Sequence, residues 1–476
     1  MHSTFKTYLL LLTLATASCA TSNEIVVNKP DIVVPIKSDV SYWLTSPANY
    51  IYLQKQSVSL IFTNTSNSYP TIEVDSTTTY QSMDGFGFAL TGGSASLINN
   101  LPALKRADLL KELFGSDSTA IGINYLRISI GASDLDSYVF SYDDNNSTAD
   151  TTLQSFSIQP DMKDLIPILK SIVAINPTIK IMATPWSAPA WMKTNKSAKG
   201  GSLKSEYYGA YARYFVKYIQ AMKEQGITID AITPQNEPLN PDNNPSMYMS
   251  ALDQATFIKN HLGPAFYKSN ISSKIILFDH NCDVSSYPLS ILDDAAAAKY
   301  VDGSAFHLYA GNITALLTVH NAHPEKNVYF TEQWVGGPSN FGEDLKWHIK
   351  NLIIGAPRNW SKNVIEWNLA SDPNYFPHTP GGCSTCLGAI TVGNDVTRNV
   401  GYYIIAHASK FVPMGSVRIK SSITGNIANV AFITPNGKKV VIALNEGNAT
   451  ESFNLRFNNK IITLSLPSGG VASYVW

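Results

Sequence analysis

Charge is scarce in this 476-residue chain. Asp, Glu, Lys and Arg make up 15% of it, where globular proteins carry about 25%. The 35 basic residues nearly cancel the 36 acidic ones, for a formal net charge of −1. No whole-chain field exists to hold a polyphosphate, so nucleic acid is not an expected partner. Nucleotide motifs are missing too: Gly85-Phe86-Gly87 belongs to no GxGxxG, and no Walker loop occurs. Past the N-terminus no run of eighteen uncharged apolar residues appears, which excludes an internal membrane span. Cysteine is sparse, at 4 residues. Cys383-x-x-Cys386 has no second CxxC and no His pair beside it, so no zinc or other metal is expected.

What is present is apolar and aromatic. Hydrophobic residues reach 44% and aromatics 11%, with 24 Tyr and 8 Trp. That composition gives a globular chain with a sizeable core, and its tyrosines and tryptophans suit either sugar stacking or ordinary packing. The first 19 residues read as an export signal, with Lys6 followed by a short apolar run from Tyr8 to Ala17 and then small residues. Cys19 directly after Ala17 and Ser18 is similar to a bacterial lipoprotein processing site, which would make Cys19 a lipid-anchored N-terminus and the only membrane attachment. The expected location is a bacterial-type surface or the periplasm, with plain secretion after cleavage near Ala17 as the alternative. In an oxidising compartment Cys383 and Cys386 are close enough in sequence to pair, leaving Cys282 over.

Both chain ends read as strands and the middle alternates. Residues 24–79 are short runs rich in Val, Ile, Thr, Ser and Asn. Residues 429–435, 438–445, 451–457 and 461–466 are short apolar or alternating runs separated by turns such as Asn436-Gly437. Neither end can bury a core alone, so together they are expected to form one β-sandwich domain, residues 24–82 plus 411–476. Between them, eight apolar runs (85–90, 125–130, 180–184, 231–235, 274–279, 303–307, 328–332 and 364–368) alternate with helix-like segments such as 103–114, 162–175, 205–225 and 252–262. The fold class is therefore α/β: a (β/α)8 TIM barrel over residues 83–410 with a side β-sandwich formed by both ends. A doubly wound open sheet is the runner-up, and it would more naturally carry a phosphate loop.

Chemistry in such a barrel sits at the C-terminal ends of the strands. Two carboxylates are there. Glu237 follows the fourth run in Thr233-Pro234-Gln235-Asn236-Glu237-Pro238, and Glu332 ends the seventh in Tyr329-Phe330-Thr331-Glu332-Gln333-Trp334. On opposite sides of an eight-stranded ring they would face each other across its mouth, which is what glycoside hydrolysis needs. One carboxyl protonates the leaving oxygen while the other attacks the anomeric carbon, and the retaining geometry sets them about 5–5.5 Å apart.

With these residues the chain resembles glycoside hydrolase family 30, which contains glucosylceramidases and endo-β-1,6-glucanases. The resemblance runs from Asp84 to the C-terminus. It is carried by Asp84-Gly-Phe-Gly87, Leu126-Arg127 with Ser133-Asp134, the segment from Thr184 to Asn195, Asn236-Glu237-Pro238, His307-Leu308-Tyr309, Thr331-Glu332 and Trp367-Asn-Leu-Ala370. It implies Glu237 as acid/base, Glu332 as nucleophile, and glucosyl contacts from Asp134, Trp186, Asn236 and Trp367. Arg127, His307 and Tyr309 would shape the site. Each role has a physical basis. Asn236 can donate to the sugar 2-hydroxyl, and Asp134 can accept from adjacent hydroxyls. Trp186 and Trp367 offer apolar faces to a pyranose. Arg127, inside an apolar strand, needs a carboxylate partner, and one of the two glutamates is the expected one. Tyr309 can hydrogen-bond the nucleophile, whereas His307 is given no proton-transfer role. Burial and the negative Glu332 are expected to raise the Glu237 pKa.

The segment from Asp372 to Cys386 looks like the Gly-Gly-Cys-x-x-Cys loop of the β-1,6-glucanase branch of that family. The expected activity is retaining β-glucoside hydrolysis without metal or organic cofactor, on β-1,6-glucan. Glucosylceramide or another β-glucoside comes second, xylan a distant third, and a non-catalytic glycan-binding protein is the rival from another class. Tyr375, Phe376 and His378 are the expected shelf for an acceptor glucose.

Overall fold

The structure, a computed structural model, describes residues 37–144 and 149–476. The expected export segment 1–19, Cys19 and the sandwich residues 24–36 lie outside the described residues. Among the described residues no helix is long and apolar enough to cross a membrane.

Eight parallel strands close into a barrel: β1 (Gly85–Ala89), β2 (Tyr125–Ser129), β3 (Lys180–Thr184), β4 (Ala231–Ile232), β5 (Lys274–Asn281), β6 (Val301–His307), β7 (Asn327–Glu332) and β8 (Ser361–Asn368). They follow one another round the ring in chain order, so the expected (β/α)8 barrel is the observed fold. The period of two sorts the strand residues. Tyr125, Met182, Ala231, Ile276, Ala305, Tyr329 and Ile365, one from each of seven strands, form a packed layer inside the barrel. Their neighbours Leu126, Ile181, Ile232, Leu277, Phe306, Phe330 and Val364 point outward into the core shared with the helices. Gly87 has to be glycine, because a Cβ there would meet the Tyr125 carbonyl oxygen at 1.8 Å.

The helices cover the barrel by the apolar stripes that the sequence showed. In Tyr208–Glu224 the stripe is Tyr211, Tyr214, Phe215, Tyr218 and Met222, all buried, and in Ala103–Phe114 it is Leu109, Leu110, Leu113 and Phe114. β4 is shorter than the expected run. Pro234 has no N–H to give a ladder, and the chain continues through single bonds from Thr233 N–H to the Ala183 carbonyl (3.2 Å) and from Asn236 N–H to the Pro185 carbonyl (2.8 Å).

Nine further strands make a β-sandwich. Their order is Ile51–Lys55, Ser41–Ser46, Val471–Val475, Lys439–Asn445, Ile427–Ile433, Val417–Ser421, Thr71–Ser82, Glu451–Phe457 and Lys460–Leu466, so early and late segments interleave. Val417–Ser421 and Val471–Val475 add to the strands expected from the sequence. The Thr71–Ser82 strand links the two layers. It pairs antiparallel with Val417–Ser421 and, through residues 71–73, parallel with Glu451–Phe457. Val441 and Ala443 face the sandwich core, while Val440, Ile442 and Leu444 face the barrel side. Burial on both faces explains why that strand is a continuous apolar run instead of an alternating one. At the junction the helix Val400–Ser409 places buried His407 between Ser473 Oγ (2.9 Å) and Thr45 Oγ1 (2.8 Å).

Candidate active site

A cavity of about 340 Å³ opens at the C-terminal mouth of the barrel, and Asp134, Trp186, Glu237, Tyr309, Glu332 and Trp367 all line it. A larger cleft of about 630 Å³, around Lys274, Tyr300 and Asp302 at the other end of β5 and β6, gathers no comparable carboxylate pair. The functional candidates thus converge on the mouth, where a barrel presents strand ends.

β4 and β7 are not on opposite sides of the ring, as expected from the sequence. Only β5 and β6 separate them, and those two strands contribute Asp279 and His307 between the two glutamates. Glu237 has a positive φ of 44° and its N–H bonds the Asp279 carbonyl at 2.9 Å, so a strained backbone aims this side chain. Glu332 follows a register irregularity at the end of β7 that places it, beside inward-facing Thr331, at the cavity. One oxygen of each glutamate and a ring nitrogen of His307 lie within 4.8 Å of one another. This close approach of the facing oxygens fits the retaining arrangement, in which the carboxyl groups stand about 5–5.5 Å apart.

Beneath the pair is a buried ion cluster. Arg127 Nη1 donates to Glu332 Oε2 at 2.5 Å, and Nη2 donates to Asp279 Oδ2 at 2.9 Å and to Asn236 Oδ1 at 2.7 Å. Asp279, absent from the sequence-based candidates, also accepts from Thr233 Oγ1 and Thr331 Oγ1, both at 2.7 Å. The His307 ring stands between three carboxylates: Nε2 is 3.1 Å from Asp279 Oδ1, and Nδ1 is 3.3 Å from Glu237 Oε1 and 3.6 Å from Glu332 Oε1. Tyr309 Oη donates to Glu332 Oε1 at 2.9 Å, and Asn240 Nδ2 donates to Glu237 Oε2 at 2.7 Å. Glu237, His307 and Glu332 are spaced closely enough to ligate a cation, but the Arg127 guanidinium already holds Glu332 and would repel one.

These contacts set the protonation pattern. Burial pushes Asp279 up, but the Arg127 charge and the His307 and Thr331 hydrogen bonds overcome it and hold this carboxyl far below the usual range. Burial would lower His307, yet Glu332, Asp279 and Glu237 raise it to about 9. Glu332 is raised, chiefly by burial, against the pull of His307 and Arg127. Glu237 moves the other way from the expectation. Burial would raise it, but the hydrogen bond and charge of His307, with the Asn240 hydrogen bond, bring it below the ordinary value. The reason is contact: Glu237 meets the His307 ring nitrogen at 3.3 Å and accepts from the Asn240 amide at 2.7 Å.

Around the cavity the polar groups are oriented by what lies behind them. Asn236 gives its carbonyl oxygen to Arg127, which leaves its amide N–H groups available to an incoming hydroxyl. Asp134 is raised to about 7 by burial and by Glu332. Trp186 and Trp367 stack on each other with centroids 5.2 Å apart, and the Arg127 guanidinium lies 4.9 Å from the Trp186 ring. Cys383 and Cys386 are joined in a disulfide and both line the cavity. The Cys383 N–H donates to Asp134 Oδ2 at 3.2 Å, and the Thr379 N–H to the Asp134 carbonyl at 2.8 Å.

The expected shelf of Tyr375, Phe376 and His378 is not part of the cavity wall. The Asp372 N–H closes the segment on the Phe376 carbonyl at 2.8 Å, Phe376 stacks on His378 at 4.3 Å, and the Tyr375 ring packs against Gly337. Trp334, Asn243 and Asn281 stand in the wall instead. None of the three was singled out in the sequence, although Trp334 lies two residues from Glu332.

A (β/α)8 barrel that presents a close carboxylate pair in a cavity lined with tryptophan is the layout of a glycoside hydrolase. Comparison with known proteins narrows the class. The glycosyl hydrolase family 30 TIM-barrel domain matches residues 83–412 and the family 30 beta sandwich domain matches residues 415–474. The chain belongs to glycosyl hydrolase family 30. It is 35% identical to an endo-1,6-beta-D-glucanase of Aspergillus fumigatus over 82% of each chain. A putative glucosylceramidase 1 of Caenorhabditis elegans is 30% identical, over 79% of this chain and 76% of its own. The solved structure of the endo-beta1,6-glucanase BT3312 superposes with a TM-score of 0.86 at 36% identity, covering 92% of this chain and 99% of that one.

Proposed function

We propose that this protein is an exported endo-β-1,6-glucanase that works by double displacement, with Glu332 as nucleophile and Glu237 as acid/base. The close approach of the two carboxylates carries the reading. Glu332 attacks the anomeric carbon while Glu237 gives a proton to the departing glycosidic oxygen. Water then adds to the glycosyl ester and returns a proton to Glu237, so the product keeps the β configuration. Arg127 and Tyr309 steady the nucleophile's charge, the free Asn236 amide meets the 2-hydroxyl, and Asp134, Trp186 and Trp367 hold the ring. Identity to endo-1,6-beta-D-glucanases supports the β-1,6-glucan substrate over glucosylceramide. Export with a lipid anchor at Cys19 follows from the N-terminal pattern and belongs to the same proposal.

Incubation with pustulan, glucosylceramide and dinitrophenyl β-glucoside tests it. Pustulan should be cut to short oligosaccharides, and proton NMR should show the β anomer first. Glu332→Gln should abolish turnover of all three, whereas Glu237→Gln should spare the first step on dinitrophenyl β-glucoside, whose leaving group needs no proton. An initial α anomer overturns the mechanism. Intact pustulan beside hydrolysed glucosylceramide overturns the substrate.

A further inference from the structure

Asp279 takes no part in the roles assigned so far, yet it is the most heavily hydrogen-bonded carboxylate at the site. It is fully buried, and Arg127, Thr233, Thr331 and His307 all converge on its two oxygens at 2.7–3.1 Å. An ionised carboxylate can only accept, so His307 Nε2 must carry a hydrogen toward Asp279. That leaves Nδ1, which faces Glu237 Oε1 and Glu332 Oε1. Both are acceptors when ionised, so the contact between Nδ1 and Glu237 has to contain one proton, either on the ring or on the glutamate. The pair therefore holds a single mobile proton.

We propose that Asp279 is a positioning residue for acid catalysis: by fixing the His307 ring it keeps the proton of the His307–Glu237 pair available for transfer to the glycosidic oxygen. This rests on Glu237 being the acid. In the first step the pair loses that proton to the glycosidic oxygen as its bond to the anomeric carbon breaks and Glu332 bonds that carbon. In the second step, water adds to the carbon, the Glu332 ester bond breaks, and the water's proton returns to the pair. Asp279 itself neither gains nor loses a proton, because Arg127 and its two threonine donors keep it ionised throughout.

The placement of Asp279 is itself built for this. Strict alternation from inward Ile276 would turn residue 279 toward the helices. Instead Phe278 and Asp279 have φ of 75° and 64°, and the register of β5 against β6 shifts between Phe278 and His280. Phe278 therefore packs outside and Asp279 faces the barrel axis. Such backbone persists only where the surroundings hold it, and it recurs at functional sites. The charged or titratable groups facing His307 are Glu237 from the β4 end, Asp279 and His280 from β5, Glu332 from β7, and Tyr309 beyond its own strand, with Arg127 behind Asp279.

Asp279→Asn keeps the shape and removes one negative charge beside His307. The mobile proton should then leave at lower pH, so the alkaline limb of kcat/KM falls by about one pH unit. The loss should also be selective: about 100-fold on phenyl β-glucoside, which needs the proton, and no more than about threefold on dinitrophenyl β-glucoside, which does not. Thr331→Val is the second variant. It removes one donor from Asp279 Oδ1 and concentrates charge on the oxygen that holds His307, so its alkaline limb should move up. If Asp279→Asn does not fold, the Thr331→Val limb alone decides, and an unmoved or lowered limb refutes the proposal. An Asp279→Asn enzyme that folds, loses both substrates equally and keeps its alkaline limb overturns the role of Asp279 but not the proposed function. A wild-type enzyme inactive on dinitrophenyl β-glucoside and pustulan overturns the proposed function instead.

Discussion

Tyr309→Phe isolates one contact at Glu332, the proposed nucleophile. The phenol donates to Glu332 Oε1 at 2.9 Å and helps the carboxylate stay ionised against its burial. A hydrogen bond to a charged group contributes about 1.5–3 kcal/mol. At 1.36 kcal/mol per pKa unit that is about one to two units. The Tyr309 side is partly open, at 39% exposure, and water can take up part of the donor's work, so we expect the lower end, about one unit. The sign follows from the stabilised form. Losing the donor favours protonated Glu332, and since turnover requires it ionised, the acid limb of kcat/KM must rise by about one unit. On the plateau the rate should change little, while one unit below the old limb it should fall about tenfold. The assay is kcat/KM against pH with dinitrophenyl β-glucoside, which removes the acid's contribution. An acid limb that stays in place or moves down would refute the assignment of this hydrogen bond to the nucleophile.

The remaining predictions concern the rim and the junction. Trp334→Ala should cost about tenfold more kcat/KM on pustulan than on dinitrophenyl β-glucoside, because Trp334 replaces the Tyr375 and Phe376 shelf in the cavity wall; Tyr375→Ala with Phe376→Ala should leave this ratio unchanged. Replacing Cys383 and Cys386 by Ser should raise KM with little change in kcat, by loosening the Cys383 N–H from Asp134. The lost cross-link closes a loop of separation 3, so calorimetry should find about 2 kcal/mol less stability. Burial lowers His407 from 6.5 to about 3. The unfolded chain therefore takes up a proton below pH about 6.5 that the folded protein refuses, and stability falls as pH drops from there toward 3. At pH 5 the cost is about 2 kcal/mol, and thermal melts of His407→Gln should show a shallower fall.

The sequence by itself determined the barrel and its carboxylates. Eight apolar runs with helix-period segments between them can be satisfied by few architectures, and the local contexts of Glu237 and Glu332 put both at strand ends. Patterning of this kind is legible because the period of a strand or helix is a local property. It could not reveal Val417–Ser421 or Val471–Val475 as strands: the first lies between its hairpin neighbour Ile427–Ile433 and the distant Thr71–Ser82, and the second pairs with Lys439–Asn445 and the distant Ser41–Ser46. Nor could it locate Asp279. Residue 279 reads as the polar end of an apolar run, and only the positive φ at Phe278 and Asp279, held by hydrogen bonds from Arg127, Thr233 and Thr331, turns its carboxylate inward. The same holds for charge. The expectation that Glu237 is raised followed from two carboxylates in a buried site, which is all that sequence could supply. The tertiary structure reversed it by setting the His307 ring nitrogen 3.3 Å and the Asn240 amide 2.7 Å from the Glu237 carboxylate. Interactions in a buried site depend on distances of that size, and no spacing along the chain encodes them.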